Sequence, residues 1–241
     1  MAKLNPVFSG IETDGLIERS ASVKGVALKT LLLLLIAVAS PFLTIGIVVS
    51  NPAILIIMMI GAVVCGIIGQ MSYKAAPVCS IIYAICEGTV LGLVSFAYEF
   101  EFSGIVLTAV VVTATIFGVM LLLYSTNIIR VTTKLVRAMS AVGISILVIS
   151  LIYLISALIS PNNILVATLV TNPGLLIFMS ILLLAYGAFM LLLDFEQVNS
   201  LVHGGFDKRY EWTAALGLMV TLVWIYIEVL RLLAIIAAER D

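Results

Sequence analysis

Long apolar runs separated by short polar breaks dominate this chain. Seven of them, near 26–49, 53–73, 78–98, 104–124, 138–159, 174–195 and 213–236, reach the roughly 20 residues that a helix needs to cross a bilayer. The breaks at Asn51-Pro52, Lys74 to Pro77, Glu99 to Gly104, Asn127 to Arg137, Ser160 to Asn163 and His203 to Glu211 hold the Pro, Gly, Asn and charged residues of loops. The β-branched stretch from Ile164 to Val170 reads as an interfacial segment within a longer loop. Pro41 falls inside the first run, where it is expected to kink the helix and free a carbonyl one turn back. The pattern predicts an all-α integral membrane protein: a polar segment at 1–25, seven transmembrane helices over 26–236, and a short tail at 237–241.

Composition agrees with that reading. The chain is 63% hydrophobic and only 10% charged, against about 25% charged residues in a soluble domain. A net charge of −1 gives no basic surface and no case for a nucleic-acid partner. Cys65, Cys79 and Cys86 lie in apolar segments without a Cys-x-x-Cys pair or a neighbouring His, so they read as small buried hydrophobes. The first apolar run is long and follows a polar segment, so no cleavable signal peptide is expected.

Placement of the positive charges says more than their sum. Lys3, Arg19, Lys24, Lys29, Lys74, Arg130, Lys134, Arg137, Lys208 and Arg209 fall on one side of the alternating spans, and only Arg231 and Arg240 on the other. Cytoplasmic loops are the ones enriched in Lys and Arg, so the N-terminus is expected in the cytoplasm and the C-terminus outside.

Small residues four apart mark faces where helices approach closely. Gly88 and Gly92 form such a pair in the third run, and Ala62 and Gly66 in the second. No internal repeat is legible, which argues against an alternating-access transporter. No phosphate loop, dinucleotide fingerprint, zinc motif or nucleophile elbow stands on a suitable turn, so neither enzyme activity nor an organic cofactor is expected. His203, the single histidine, reads as a solvated loop residue.

Three carboxylates interrupt the apolar runs: Glu87, Asp194 and Glu228. A charge near the bilayer centre costs a few kcal/mol on the most lenient scale, so acids there face a bundle interior or a wet cavity. Glu87 lies about 15 Å into the third run, next to the glycine pair. It is either a neutral acid bonded to a neighbouring helix or a group that meets protons or cations. Asp194 sits at the end of the sixth run, near the cytoplasmic boundary. Glu228 is about 23 Å into the seventh run and can form a local ion pair with Arg231, three residues on. Thr221, about 12 Å into that run, can add a hydroxyl between the acids. The depths suggest a stepped path for protons or cations, with Asp194 inside, Glu87 in the middle and Glu228 outside.

The segments Glu87-Gly88-Thr89-Val90-Leu91-Gly92, Leu193-Asp194-Phe195-Glu196-Gln197-Val198, Ala215-Leu216-Gly217-Leu218 and Leu230-Arg231-Leu232-Leu233 resemble elements of the Bax inhibitor-1, or transmembrane Bax-inhibitor-motif, family. The opening Asn5-Pro6-Val7-Phe8 is similar to that of its bacterial branches. The resemblance implies six helices around a central seventh, in a bacterial inner membrane. It also implies a pH-sensitive calcium leak gated by two aspartates that share a proton. Asp194 matches the first aspartate, and the second position falls on Thr221. The pair therefore lacks the like-charge term that makes two carboxylates titrate together. Calcium prefers several oxygen ligands with more than one carboxylate, and Glu87 could join Asp194 to supply them. Two functions stay open: a calcium or proton leak, and a non-conducting regulator that binds other membrane proteins such as a membrane protease or stress machinery.

Overall fold

A computed structural model describes residues 20–159 and 172–239, which hold seven helices. They are α1 (Val23–Ser50), α2 (Ala53–Met71), α3 (Ala76–Glu101), α4 (Ile105–Ser125), α5 (Thr133–Ile159), α6 (Pro173–His203) and α7 (Tyr210–Ala238). Every one is long and apolar enough to cross a membrane. Expected and observed spans coincide to within a few residues, except that α6 continues eight residues beyond 195 to His203. The segment 164–170 lies outside the described residues.

Local chemistry accounts for where the helices start and turn. Ser22 caps α1, its hydroxyl accepting the Gly25 N–H at 3.0 Å. Asn172 caps α6 in the same way, with Pro173 in the first turn. Between α3 and α4 the chain turns at Gly104, whose φ of +85° suits a residue without a side chain. There the Glu99 carboxylate accepts the N–H groups of Gly104 and Val106, satisfying donors that α4 would leave orphaned.

Helix α7 contributes more buried residues to the core than any other helix. Its Ala215, Leu216, Met219 and Ile225 have no exposed surface, and it packs against α1, α2, α3, α4 and α6. Helix α5 touches only α6 and buries none of its described residues. Among the described residues α7 thus meets five of the six other helices, and α5 meets α6 at Gly143, close against the Tyr186 hydroxyl.

Helices α1 and α3 meet at close range. A side chain at Gly88 would overlap the Ala37 backbone and the Ser40 hydroxyl, and one at Gly92 would overlap the Pro41 ring. Pro41 cannot bond the Ala37 carbonyl, and the Ser40 hydroxyl donates to that carbonyl instead at 3.0 Å. Helix α1 continues through the proline without a break. Thr44 then reaches Thr89 of α3 at 2.9 Å. On α2, Ala62 is buried, Gly66 lies under the Tyr83 ring, and Gly69 lies under Leu216 and Cys79.

Candidate functional site

The seam between α6 and α7 holds two separate polar groupings. Asp194 of α6 faces Gly217 of α7, and Thr221, one turn further along, offers its hydroxyl to the same carboxylate. Asp194 Oδ2 is buried and has no hydrogen-bond partner. Helix α6 runs on for nine residues past Asp194, about 13 Å. The acid is thus well inside the helix rather than at its end. The hydropathy signal stops at residue 195, while Glu196 keeps the helix packed by accepting the Tyr124 hydroxyl of α4 at 2.8 Å.

Further along the seam, Gly187 of α6 receives Ile225 and Trp224 of α7. Leu191 and Ile225 are fully buried, so this layer is closed apolar packing. Beyond it, the Arg231 guanidinium donates from Nε to the Ser180 hydroxyl at 3.3 Å and meets Glu228 Oε2 at 2.8 Å. Glu228 is 7% exposed, and its Oε2 has charge compensation but no hydrogen bond of good geometry. Glu228 and Thr221 are seven residues apart on one face of α7, with the Ile225 layer between them.

Glu87 stands elsewhere. The Ser95 hydroxyl of α3 meets the Tyr226 hydroxyl of α7 at 2.7 Å, which sets the register of these two helices. Glu87, eight residues before Ser95 on α3, is partly buried. Among the described residues no three His, Cys, Asp or Glu side chains are grouped to hold a metal ion.

Two cavities open at the bundle surface. One of about 410 Å³ lies by Phe102, Gly104, Thr108 and Leu233; the other, about 390 Å³, lies by Ala62, Gly66, Gln70, Tyr83 and Val220. Neither is lined by an acid.

One polar cluster went unread in the sequence. Glu211, placed there in a loop, is in the first turn of α7 and has 0% exposure. Its Oε1 accepts the Ser22 N–H at 2.8 Å and the Ser22 hydroxyl at 3.1 Å, and Oε2 pairs with Lys29. The Lys29 ammonium also lies 5.5 Å from the Trp212 ring centre. A lysine six residues into an apolar helix was the available signal. Its partner is 182 positions away, which no local pattern reports. His203, expected in a loop, is the last residue of α6, its Nδ1 at 2.9 Å from the Asn199 carbonyl.

The family model described as Bax inhibitor 1 like matches residues 5–238, nearly the whole chain. No curated protein matches the sequence.

Proposed function

The chain belongs to the Bax inhibitor 1-like family, and on that premise we propose that it is a pH-sensitive cation leak, for calcium or protons, gated at the α6–α7 seam. The observation that carries the reading is Asp194 Oδ2, a buried carboxylate oxygen without a partner beside the most buried helix. A carboxylate oxygen left bare in an apolar interior is costly, and a proton on it or a cation beside it removes the penalty. Asp194 with the Thr221 hydroxyl offers few oxygens, which suits passage of a calcium ion rather than its storage.

In this conformation the path is shut. Ile225, Gly187 and Leu191 separate Asp194 from Glu228, so conduction requires α6 and α7 to part. The charge asymmetry of the loops supports a cytoplasmic N-terminus in a cell membrane, the bacterial inner membrane in this reading. Calcium and proton flux into proteoliposomes across a pH series tests the proposal. Flux that Asp194→Asn abolishes or makes independent of pH is the expected result; flux that Asp194→Asn leaves intact overturns the role of this acid.

Helix α5 favours a second reading. None of its described residues is fully buried, and apart from its contact with α6 it offers its surface to a neighbouring protein. Under that reading the chain is a non-conducting regulator of other membrane proteins, and no flux appears at any pH.

A further inference from the structure

Two of the buried acids along α7 and its seam with α6 differ in one respect: Asp194 has an oxygen without a partner, whereas both oxygens of Glu211 are engaged. Three donors converge on Glu211, all from α1 or its cap: the Ser22 N–H, the Ser22 hydroxyl and the Lys29 ammonium. Ser22 serves twice, since its hydroxyl also accepts the Gly25 N–H that starts α1. Gly25 itself has no alternative, because a side chain there would overlap the Glu211 carboxylate. The chain before α1 is tied to the same place, with the Ala21 N–H on the Phe206 carbonyl at 2.8 Å and Ser20 bridged to Asp207. Trp212 covers the lysine, and Tyr210 stacks on Tyr73 beside the cluster.

This arrangement fixes the first turn of α7 to the start of α1. Gly217, which faces Asp194, is six residues further on, about 9 Å along the same rigid helix. Any tilt or slide of the first turn is therefore transmitted to the seam. We propose that Lys29 and Glu211 are positioning residues for the α6–α7 seam: they anchor the end of α7 so that Gly217 and Thr221 stay closed over Asp194. The inference rests on the reading of the seam as the gate, but it is stated for opening of the seam and not for ion passage.

The test uses the full chain in proteoliposomes, with Cys65, Cys79 and Cys86 replaced by alanine and Thr221→Cys as reporter. The readout is the rate at which a charged, membrane-impermeant thiol reagent labels the reporter. Glu211→Gln and Lys29→Gln are each expected to raise that rate by about tenfold or more, in line with losing a hydrogen-bonded charge. The swap Lys29→Glu with Glu211→Lys brings the rate back towards the parent, because the pair is restored with its sign reversed. Ser22→Ala removes one donor and leaves the ion pair, so it gives an intermediate rate. It also carries the test if the charge variants do not yield monodisperse protein. A folded Glu211→Gln or Ser22→Ala protein with lowered thermal stability and the parent labelling rate overturns the proposal, since the cluster would then only add stability. Faster labelling without flux at any pH instead refutes the leak and leaves the anchor standing.

Discussion

Gly217 of α7 stands opposite Asp194 of α6, and the missing side chain leaves space beside the carboxylate. A Cβ at 217 would lie 3.9 Å from Asp194 Oδ1, at ordinary contact distance. Gly217→Ala therefore fits without strain. It is expected to stabilise α7 by up to about 1 kcal/mol through helix propensity while setting a methyl group against the carboxylate. Thermal stability should rise and flux through the seam should fall. A variant in which both rise would detach the gate from this contact.

Thr221 is where a second carboxylate can be supplied. In Thr221→Asp, two facing acids share one proton at low pH and hold the seam together. As pH rises the second acid ionises, like charges repel, and the hold is lost. Stability of this variant should fall with rising pH and its flux should rise, both more steeply than in the parent. Thr221→Val, which removes the hydroxyl and adds no charge, should keep only the shallower trend that Asp194 alone produces. Melting temperatures and flux at a series of pH values separate the three proteins.

Ser40 and Pro41 form a compensated defect in α1. The proline leaves the Ala37 carbonyl without its helical donor, and the Ser40 hydroxyl covers it. Ser40→Ala should cost about 1 kcal/mol, the usual net worth of one hydrogen bond. In a Pro41→Ala background the backbone N–H returns to the Ala37 carbonyl, and Ser40→Ala should then cost much less. A double-mutant cycle on thermal stability measures the coupling; equal costs in both backgrounds would mean that the serine does not serve the proline.

The seven spans were legible because a bilayer demands long apolar runs, and nothing else in the chain competes with that signal. The small-residue spacing at Gly88 and Gly92 was equally readable, but not its partner, since only packing reveals that Ala37 and Pro41 fill the groove. The end of α6 was misjudged because hydropathy falls before the helix does, and Glu196 and Gln197 continue α6 in spite of their polarity. How the helices are set against one another was beyond reach: the Ser95 and Tyr226 hydroxyls meet across 131 positions of sequence. Glu211 read as part of a loop and Lys29 as one of the cytoplasmic-side charges for the same reason: their meaning is a contact between distant segments.

Ile225 and Gly187 form the apolar layer between the two polar parts of the seam. Ile225 is fully buried, and a Cβ at Gly187 would come within 2.9 Å of Ile225 Cγ1, tighter than side chains normally pack. Ile225→Ala removes this plug and should cost about 2–5 kcal/mol as a cavity-forming change. It should also raise flux, because the apolar barrier between Asp194 and Glu228 is thinned. Gly187→Ala alone should destabilise by overpacking, typically about 1–3 kcal/mol. Combined, the two changes are complementary in volume: the new methyl group at 187 occupies part of the space left at 225. The double variant should therefore be more stable than the sum of the single losses predicts and should leak less than Ile225→Ala. Strict additivity in stability together with unchanged leak would show that these residues do not meet across a working barrier.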